Sequence, residues 1–339
     1  MQHIHNEKLS LSKVSQCCLC NSMSSKIAVS DVKDNVSFAV EYTGNILECL
    51  DCGHAFLSPI INKNDIHKAY SGYYTQIKDN IEISSNSKKD RFSFFKEYYN
   101  YLFRGIKSKK GIIIFYIIKL VPFAHFFLSR ASRFLKVPQH GEEPTLLDVG
   151  CGRGDFLMRS SYCGYSATGI DFDPETIEIA RLRGFKEVYV KDIKDIPDGI
   201  KYDAITLSHV IEHVEDPQSL INDIYIRLKP GGYFYLATPN FNSAGRKTFS
   251  HNWRGCDVPR HMHFFNTASL ENMLLETGFK KANQVYDLIQ SVGVIRSSFN
   301  LQSKDDSSKY TYFKSVLLLI WNKFYLPDRL EVSVFKCYK

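Results

Sequence analysis

The sequence predicts an α/β protein with a mainly parallel sheet, preceded by a small cysteine-rich lobe. Strand-like and helix-like patterns alternate over residues 140–289, and a glycine-rich loop directly follows the predicted strand Thr145–Val149. Five of the nine cysteines fall between Cys17 and Cys52. Alternating strands and helices are typical of parallel sheets covered by helices, and clustered cysteines are typical of small metal-stabilised lobes.

The composition is that of a globular protein. The chain has 339 residues, of which 44% are hydrophobic and 23% charged, enough for about two domains of ~150 residues each. We predict a cysteine lobe over 1–60, a helical linker or lid over 61–139 and a larger domain over 140–339. The net charge of +7 is too small to indicate nucleic-acid binding, which we do not expect. The polar N-terminus favours a cytoplasmic protein without a secretory signal.

Two Cys-x-x-Cys pairs predict a structural zinc site. Each pair places two sulfurs on one turn, and a metal bound to both pairs would stabilise a lobe with little core of its own. Cys18 and His54 are spare donors that would substitute in the shell. A redox dithiol is the weaker alternative, because no βαβ pattern surrounds either pair. The four predicted ligands are Cys17, Cys20, Cys49 and Cys52.

The segment 86–139 is basic and aromatic. It contains 12 Lys and Arg residues against two acidic residues. Apolar residues at helical spacing predict one amphipathic helix, and the apolar stretch Gly111–Ser129 is too interrupted by Lys119 and Pro122 to span a membrane. A buried or capping helix and an interfacial helix on an acidic leaflet both remain open. The predicted helix face consists of Phe92, Phe95, Tyr99, Leu102 and Ile106.

The glycine-rich loop is the first sign of a ligand site. Gly150, Gly152 and Gly154 stand between the strand Thr145–Val149 and a helix that we predict to begin at Asp155. Glycine permits positive φ angles and lets a ligand approach the backbone closely. The loop therefore predicts a ligand held against the main chain at the carboxyl end of this strand.

A carboxylate is placed to complement this loop. Asp171 ends the next predicted strand, 23 residues after Asp148, a position suited to accept both ribose hydroxyls of an adenosine group. Asp173 and Pro174 already supply the cap and first turn of the following helix, which leaves Asp171 available for ligand. The G-x-G-x-G spacing differs from the dinucleotide pattern, and no Lys-Ser/Thr ending indicates a nucleotidase.

Together these motifs resemble those of class I S-adenosylmethionine-dependent methyltransferases. The resemblance covers about residues 140–290, and it implies a Rossmann-like, seven-stranded, mostly parallel sheet with an antiparallel last strand. The alternating segment Leu330–Cys337 fits that last strand. The cysteine lobe followed by this domain is similar to methyltransferases of sugars, deoxysugars and surface glycans. The matching motifs are Leu147–Gly154, Gly169–Asp171, Lys191–Asp192, Tyr202–Leu207 and Leu228–Gly232.

The resemblance also implies roles for individual residues toward S-adenosylmethionine. Asp148 and the loop residues would line its methionine end, and Asp171 would hold the ribose. Phe172 would flank the adenine and Asp192 would meet its amino group. Ser208 and His209, just after the fourth strand, would face the methionine or the transferred methyl. The loop residues in this set are Gly150, Cys151, Gly152 and Gly154.

A hydroxyl acceptor loses a proton during methyl transfer, so we expect a base within hydrogen-bond reach. Our hypothesis is that His261 or His263 is the base, with His213 as the alternative; a divalent cation activating the hydroxyl is a further one. The pattern from His209 to His213 also matches a metalloprotease motif, which we reject because it stands at a strand end inside the methyltransferase series. We expect acceptor contacts from Trp253, Asn240 and Arg260, the last suited to a phosphate or carboxylate.

We therefore predict O-methylation of a sugar, nucleotide-sugar or surface glycan. Alternatives are another small-molecule acceptor such as a quinol precursor or natural product, or C-methylation of a deoxysugar nucleotide. A non-enzymatic zinc-ribbon module with a degenerate cofactor fold is opposed by the intact glycines and Asp171. The basic segment 86–139 would form a lid or make peripheral membrane contact.

Overall fold

The predicted alternation of strands and helices is present in the computed structural model, which describes residues 9–70, 87–121, 128, 130–136, 143–303, 317 and 330–339. The N-terminal strands are β1 (Leu11–Ser12), β2 (Ser25–Lys33), β3 (Thr43–Cys49), β4 (Ala55–Ser58) and β5 (Ile60–Ile61). The later strands are β6 (Thr145–Val149), β7 (Ser166–Asp171), β8 (Val188–Val190), β9 (Tyr202–Ser208), β10 (Leu228–Pro239), β11 (His263–Phe264), β12 (Lys281–Tyr286) and β13 (Val332–Tyr338).

The helices include those predicted after the glycine loop and after β7. They are α1 (Ile66–Tyr70), α2 (Ser87–Arg104), α3 (Lys109–Leu120), α4 (Asp155–Tyr162), α5 (Pro174–Leu182), α6 (Pro217–Arg227), α7 (Ala244–Phe249), α8 (Thr267–Thr277) and α9 (Leu288–Ser303). The start of α5 is as predicted, because Asp173 accepts a hydrogen bond from the Glu175 amide at 2.9 Å and Pro174 fills the first turn.

The large sheet has seven strands in the order β12-β13-β10-β9-β6-β7-β8. The neighbours of β6 on both sides run parallel to it, as does β8 to β7. Lys339 exchanges backbone hydrogen bonds with Gly231 and Gly232 at the start of β10. The end of the chain thus lies beside the start of β10, as antiparallel neighbours do. The predicted α/β class, seven-stranded mixed sheet and C-terminal strand are confirmed.

A second sheet of four strands has the order β11-β4-β3-β2. Its last member comes from far along the chain, since His263 pairs with Phe56 and Phe264 with Ala55. The core beside this sheet joins N-terminal residues such as Ile46 and Leu57 to Trp253. The N-terminal lobe is therefore completed by a segment that follows the fifth strand of the large sheet.

Contacts between Cα atoms divide the chain into two compact units. One consists of Met1–Tyr74, His209–Asn222 and Ala237–Phe335, and the other of Thr75–Ser208, Asp223–Leu236 and Lys336–Lys339. These units cut across the predicted ranges 1–60, 61–139 and 140–339, because β11 pairs with β4. The ranges stay a prediction.

The helix predicted in the basic segment is confirmed as α2, with Tyr99 buried. It ends at Arg104 because Gly105 adopts a φ of 64°, so Ile106 lies beyond the helix and is exposed. The side chains of Phe92 and Phe95, and residues 122–127 and 129 of the predicted apolar stretch, lie outside the described part of the chain. Within that part, no helix is both long and apolar enough to cross a membrane.

Candidate active site

The glycine loop between β6 and α4 has the backbone that the sequence predicts. Gly150, Gly152 and Gly154 have φ angles of 70°, 54° and 81°, values that strain residues with a Cβ. The Gly150 amide donates to the Ile170 carbonyl at 2.8 Å, which ties the loop to β7. A Cβ built on Gly152 meets no atom within 4 Å. Glycine is therefore needed here for the φ angle of the turn and not to avoid a clash, and the space beside it is open for a ligand.

Asp171 at the end of β7 contacts the glycine loop directly. Its Oδ2 accepts a hydrogen bond from the Gly152 amide at 2.9 Å, and its Oδ1 accepts one from the Asp173 amide at 3.1 Å. Burial raises the pKa of this carboxyl, and the amide hydrogen bonds oppose the rise. A carboxylate oxygen accepts about two hydrogen bonds, so each oxygen keeps capacity for a ligand hydroxyl.

Asp148 in β6 is a buried carboxylate beneath the loop. Its Oδ1 accepts hydrogen bonds from Arg133 and, at 2.6 Å, from Thr206. Burial raises its pKa, which the Arg133 charge opposes. Its Oδ2 has no hydrogen-bond partner among the described residues. A buried acceptor without a partner is costly, and a donor such as the amino group of a methionine moiety would satisfy it.

The other predicted cofactor residues occupy varied environments. Phe172 follows Asp171 with 62% of its surface exposed. Asp192 caps a one-turn helix, Ile193–Asp195, through the Lys194 amide at 3.3 Å and is exposed. The Cys151 side chain is buried in the core beside Leu157 rather than open to the loop's ligand space. The cofactor role of these residues stays a prediction, and for Cys151 the contacts favour packing.

The end of β9 is followed by a strained backbone turn. Ser208 is half-buried, and His209 adopts a φ of 57°, which is uncommon for a residue with a Cβ. The His209 amide donates to the Ala237 carbonyl at 2.8 Å, and its Nδ1 lies 3.3 Å from Oε1 of Glu212. Strained backbone concentrates at functional sites. The role of His209 toward the cofactor stays a prediction.

Glu212, His213 and His261 form a compact acid and histidine cluster. One ligand-capable atom of each lies within 4.8 Å of the others. Burial alone would raise the pKa of Glu212, but His209, His213 and His261 lower it to about 2, so the carboxylate is ionised. Its Oε2 accepts a hydrogen bond from Thr238 at 2.9 Å. The cluster thus places a fixed negative charge against two imidazoles.

Each of the two imidazoles in the cluster is oriented by a backbone carbonyl. Nδ1 of His213 lies 3.0 Å from the Arg260 carbonyl, and Nδ1 of His261 lies 2.9 Å from the Gly255 carbonyl. A carbonyl only accepts, so each Nδ1 carries the proton and each Nε2 has a lone pair. The Tyr70 hydroxyl also lies 3.0 Å from Nδ1 of His213, where its oxygen can share that proton. Burial lowers the pKa of His213, and that of His261 to about 4. Both rings are therefore neutral near pH 7 and able to accept a proton.

The structure separates the two histidines predicted as first candidates for the base. His261 joins Glu212, whereas His263 in β11 lies beside Cys18 and His54, with Nδ1 3.2 Å from Nε2 of His54. His261 lies outside β11, and its backbone amide donates to the Asp257 carbonyl at 2.8 Å, whereas His263 belongs to the strand that pairs with β4. The catalytic role of either residue stays a prediction.

Comparison with known proteins shows which family this chain is similar to. Residues 123–284 match a family model described as a methyltransferase domain. Two curated relatives are similar to this chain over part of their length, and both are described as ubiquinone biosynthesis O-methyltransferases. The protein of Bordetella avium is 33% identical over 29% of this chain and 43% of its own length. The mitochondrial protein of Candida albicans is 36% identical over 28% of this chain and 32% of its own length.

The chain spans less than half the length of these curated relatives. A solved S-adenosylmethionine-dependent methyltransferase from Archaeoglobus fulgidus is 20% identical, with a TM-score of 0.44 over 63% of this chain and 94% of that one. The family match excludes the N-terminal cysteines. The similarity to methyltransferases thus covers residues 123–284, and the N-terminal lobe is described separately.

The four predicted zinc ligands outside the methyltransferase match lie together. Sγ of Cys17 is 3.6 Å from Sγ of Cys52, and Sγ of Cys20 is 3.5 Å from Sγ of Cys49. A tetrahedral zinc with Zn–S bonds of about 2.3 Å separates its sulfurs by about 3.8 Å. Burial raises the pKa of Cys17 and of Cys52, whereas at Cys49 the backbone amides of Cys52 and Asp51 outweigh burial and lower the pKa to about 7. The cluster is compatible with a zinc-ribbon lobe.

Arg260, predicted to bind a phosphate or carboxylate of the acceptor, is fully buried. Its guanidinium donates to Oδ1 of Asp34 at 2.7 Å and to Oδ1 of Asp257 at 2.6 Å, and also to Ser37 and the Ala69 carbonyl. These internal acceptors engage the donors that an anionic substrate would need. The substrate role stays a prediction, and the contacts favour a structural one.

Trp253 and Asn240, the other predicted acceptor residues, are also buried. Nε1 of Trp253 donates to Oε2 of Glu331 at 2.7 Å. Asn240 donates to the Leu330 carbonyl at 2.9 Å. Both side chains thus hold the C-terminal segment to the loop after β10, and neither offers an open stacking surface. Their role toward an acceptor stays a prediction.

Sequence reasoning did not assign a role to Glu212 or Arg133. Glu212 lies within the pattern from His209 to His213, shortly after the end of a predicted strand. This position could have marked it as a candidate functional residue. Arg133 stacks over Phe156, 3.8 Å from the ring centroid, and pairs with Asp148. No local pattern marks this arginine, because its partners come from β6 and α4.

Proposed function

We propose that the protein transfers the methyl group of S-adenosylmethionine to a hydroxyl oxygen. The observation that supports this most strongly is the open glycine loop hydrogen-bonded to the Asp171 carboxylate at the end of β7. When bound, the cofactor supplies an electrophilic methyl group on a sulfonium. Its ribose would lie on Asp171, and its amino group would meet the unpaired oxygen of Asp148.

His213 is the base that the contacts favour. It is half-buried, whereas His261 is almost fully buried. Its Nδ1 proton is directed to the Arg260 carbonyl, so Nε2 is available to take the acceptor's proton. Glu212 stays ionised and would stabilise the imidazolium that forms. This reverses the order expected from the sequence, in which His213 followed His261 and His263.

We propose a hydroxyl of a sugar, nucleotide-sugar or surface glycan as the acceptor. Support comes from the cysteine lobe preceding a methyltransferase domain, an arrangement similar to that of sugar methyltransferases. A phenolic hydroxyl of a quinol-type precursor is the second candidate, and the names of the curated relatives favour it. A sugar hydroxyl is a much weaker acid than a phenol and depends more on a base. Radiolabelled methyl donor with panels of both acceptor types would separate the two.

Cofactor binding tests the proposal at its first step. We expect Asp171→Asn to weaken S-adenosylmethionine binding by about 10–100-fold, because hydrogen bonds to a charged group contribute about 1.5–3 kcal/mol. Calorimetry on the full chain would measure this. Asp198→Asn, at an exposed carboxylate outside the loop, is the control and should bind normally. Wild-type protein that shows no heat with either the donor or its demethylated product would overturn the proposed function.

We propose that the four-cysteine cluster binds a structural zinc. All four positions of a tetrahedral site would be filled by protein, which leaves no open position for chemistry. Zinc would link the two knuckles, and its binding free energy would contribute to folding of the lobe.

We also propose peripheral contact with an anionic membrane through α3. Ile113, Tyr116, Ile117 and Leu120 form one face of this helix, and each is more than half exposed. Arg104, Lys107, Lys109, Lys110 and Lys119 are exposed around it, and residues 98–121 contain no acidic side chain. An apolar face bordered by basic residues fits a surface of anionic lipid.

We expect the full chain to sediment with phosphatidylglycerol vesicles and not with phosphatidylcholine vesicles. Ile117→Glu should reduce the bound fraction by about tenfold, because it places a charge on the apolar face. Leu182→Glu, at an exposed leucine of α5, is the matched control and should sediment normally. Equal sedimentation of wild type and Ile117→Glu would contradict this contact.

A further inference from the structure

A second group of metal-binding atoms lies beside the four-cysteine cluster. Nε2 of His54 is 3.2 Å from Nδ1 of His263, and Sγ of Cys18 is 3.6 Å from that nitrogen and 3.9 Å from the His54 nitrogen. None of these three residues belongs to the group of four. The sequence predicts Cys18 and His54 to be spare ligands of the four-cysteine site. In the structure they lie instead beside each other and beside His263, which comes roughly 200 residues later in the chain.

The three distances match those between ligands of one tetrahedral ion. With metal–nitrogen bonds of about 2.0–2.1 Å and a metal–sulfur bond of about 2.3 Å, two nitrogens lie about 3.3 Å apart and a nitrogen and sulfur about 3.6 Å apart. One thiolate and two imidazoles form a donor set that suits zinc and disfavours magnesium or calcium. The arrangement therefore has both the spacing and the chemistry of a zinc-class site.

The fold positions each donor through a different constraint. Cys18 follows Cys17 in the first knuckle, and His54 comes two residues after Cys52 in the second. His263 is brought to them by the pairing of β11 with β4. Backbone groups of Val214 and Glu215 hydrogen-bond the His263 ring, and such outer contacts orient metal-binding histidines.

We propose that Cys18, His54 and His263 bind a second metal ion of the zinc class. His54 and His263 are buried, whereas Cys18 is exposed. Three protein ligands leave the fourth coordination position for water or another small ligand, unlike the site of four cysteines. The negative charge of Asp216 acts on both Cys18 and His263 and would complement a divalent ion. The proposal stands independently of the methyl-transfer activity.

The competing account is a hydrogen bond between the two imidazoles with a free thiol nearby. It predicts the same His54–His263 distance without metal. Metal content distinguishes the two, because only the proposed site loses an ion when Cys18 loses its sulfur.

The experiment is elemental analysis of the full-length, zinc-replete protein after gel filtration. We expect about two zinc ions per chain, falling to about one in Cys18→Ser and in His263→Gln. Cys49→Ser removes a ligand of the other site and should lose the other ion. His251→Gln, at an exposed histidine outside both groups, is the matched control and should retain both.

Cobalt substitution gives a readout that does not depend on the count alone. The thiolate-to-cobalt absorption should fall by about one fifth in Cys18→Ser, since one of five thiolates is lost. Cys18 is exposed, so this substitution spares the buried core. A metal content and cobalt spectrum unchanged by both Cys18→Ser and His263→Gln would overturn the second site.

Discussion

Arg260→Gln should lower the free energy of unfolding by about 3–5 kcal/mol, the cost of removing one partner from a buried ion pair. The substitution leaves Asp34 and Asp257 buried without the Arg260 charge, and Arg254 contacts the second of these carboxylates at 2.7 Å. Urea unfolding followed by circular dichroism would measure the loss. If Arg260 instead binds acceptor, the variant should unfold like wild type and show a raised KM for the acceptor.

A double-mutant cycle sharpens this prediction. Asp34→Asn combined with Arg260→Gln should cost less than the sum of the single changes, because the two groups pair directly.

Arg260 also holds the pKa of Asp34 below its ordinary value, against the effect of burial. That contribution is present above the unfolded-state pKa of an aspartate and is lost as pH falls through the folded-state pKa. The deficit of Arg260→Gln should therefore shrink in acid.

His213→Gln should reduce kcat by about 10²–10⁴-fold once the acceptor is known, the range typical for loss of a general base. Glutamine preserves a polar side chain but cannot accept the proton. Binding of S-adenosylmethionine should stay within about twofold of wild type, because the carboxylates proposed to hold the cofactor, Asp148 and Asp171, are not part of this cluster. Retained turnover in His213→Gln, with loss in His261→Gln, would assign the proton transfer to His261.

The pH profile provides a second readout of this base. Burial lowers the pKa of His213 from its ordinary value of 6.5, while the charge of Glu212 raises it. Only the neutral imidazole accepts a proton, so kcat/KM should fall as pH decreases through that pKa, with the acid limb below pH 6.5. Glu212→Gln removes the charge that raises the pKa. Its acid limb should lie at lower pH than in wild type, with a smaller kcat as well.

The geometry of the glycine loop and of Asp171 was predictable because local rules determine it. A buried strand, glycines with positive φ and an aspartate at the end of the next strand can each be recognised within a few residues. The structure places all three as expected, with Gly152 hydrogen-bonded to Asp171. The cap at Asp173 follows equally local chemistry.

The environment of the residues predicted to bind the acceptor was not predictable, because pairing between distant segments determines it. The aromatic and basic residues around Arg260 suggested an open binding loop. In the structure, Asp34 from the N-terminal lobe neutralises Arg260, and Glu331 near the C-terminus binds Trp253. No local pattern reveals such partners. For the same reason, the sequence did not reveal that His261 and His263 belong to different clusters. Their separation depends on the pairing of β11 with β4.

The pairing of β11 with β4 also constrains how the protein is made. Partners such as His263 and Phe56 lie roughly 200 residues apart in the chain. During synthesis at about 5–20 residues per second, the N-terminal sheet must wait tens of seconds for its fourth strand to leave the ribosome. Until then β4 lacks its partner strand, and an unpaired strand edge favours edge-to-edge aggregation.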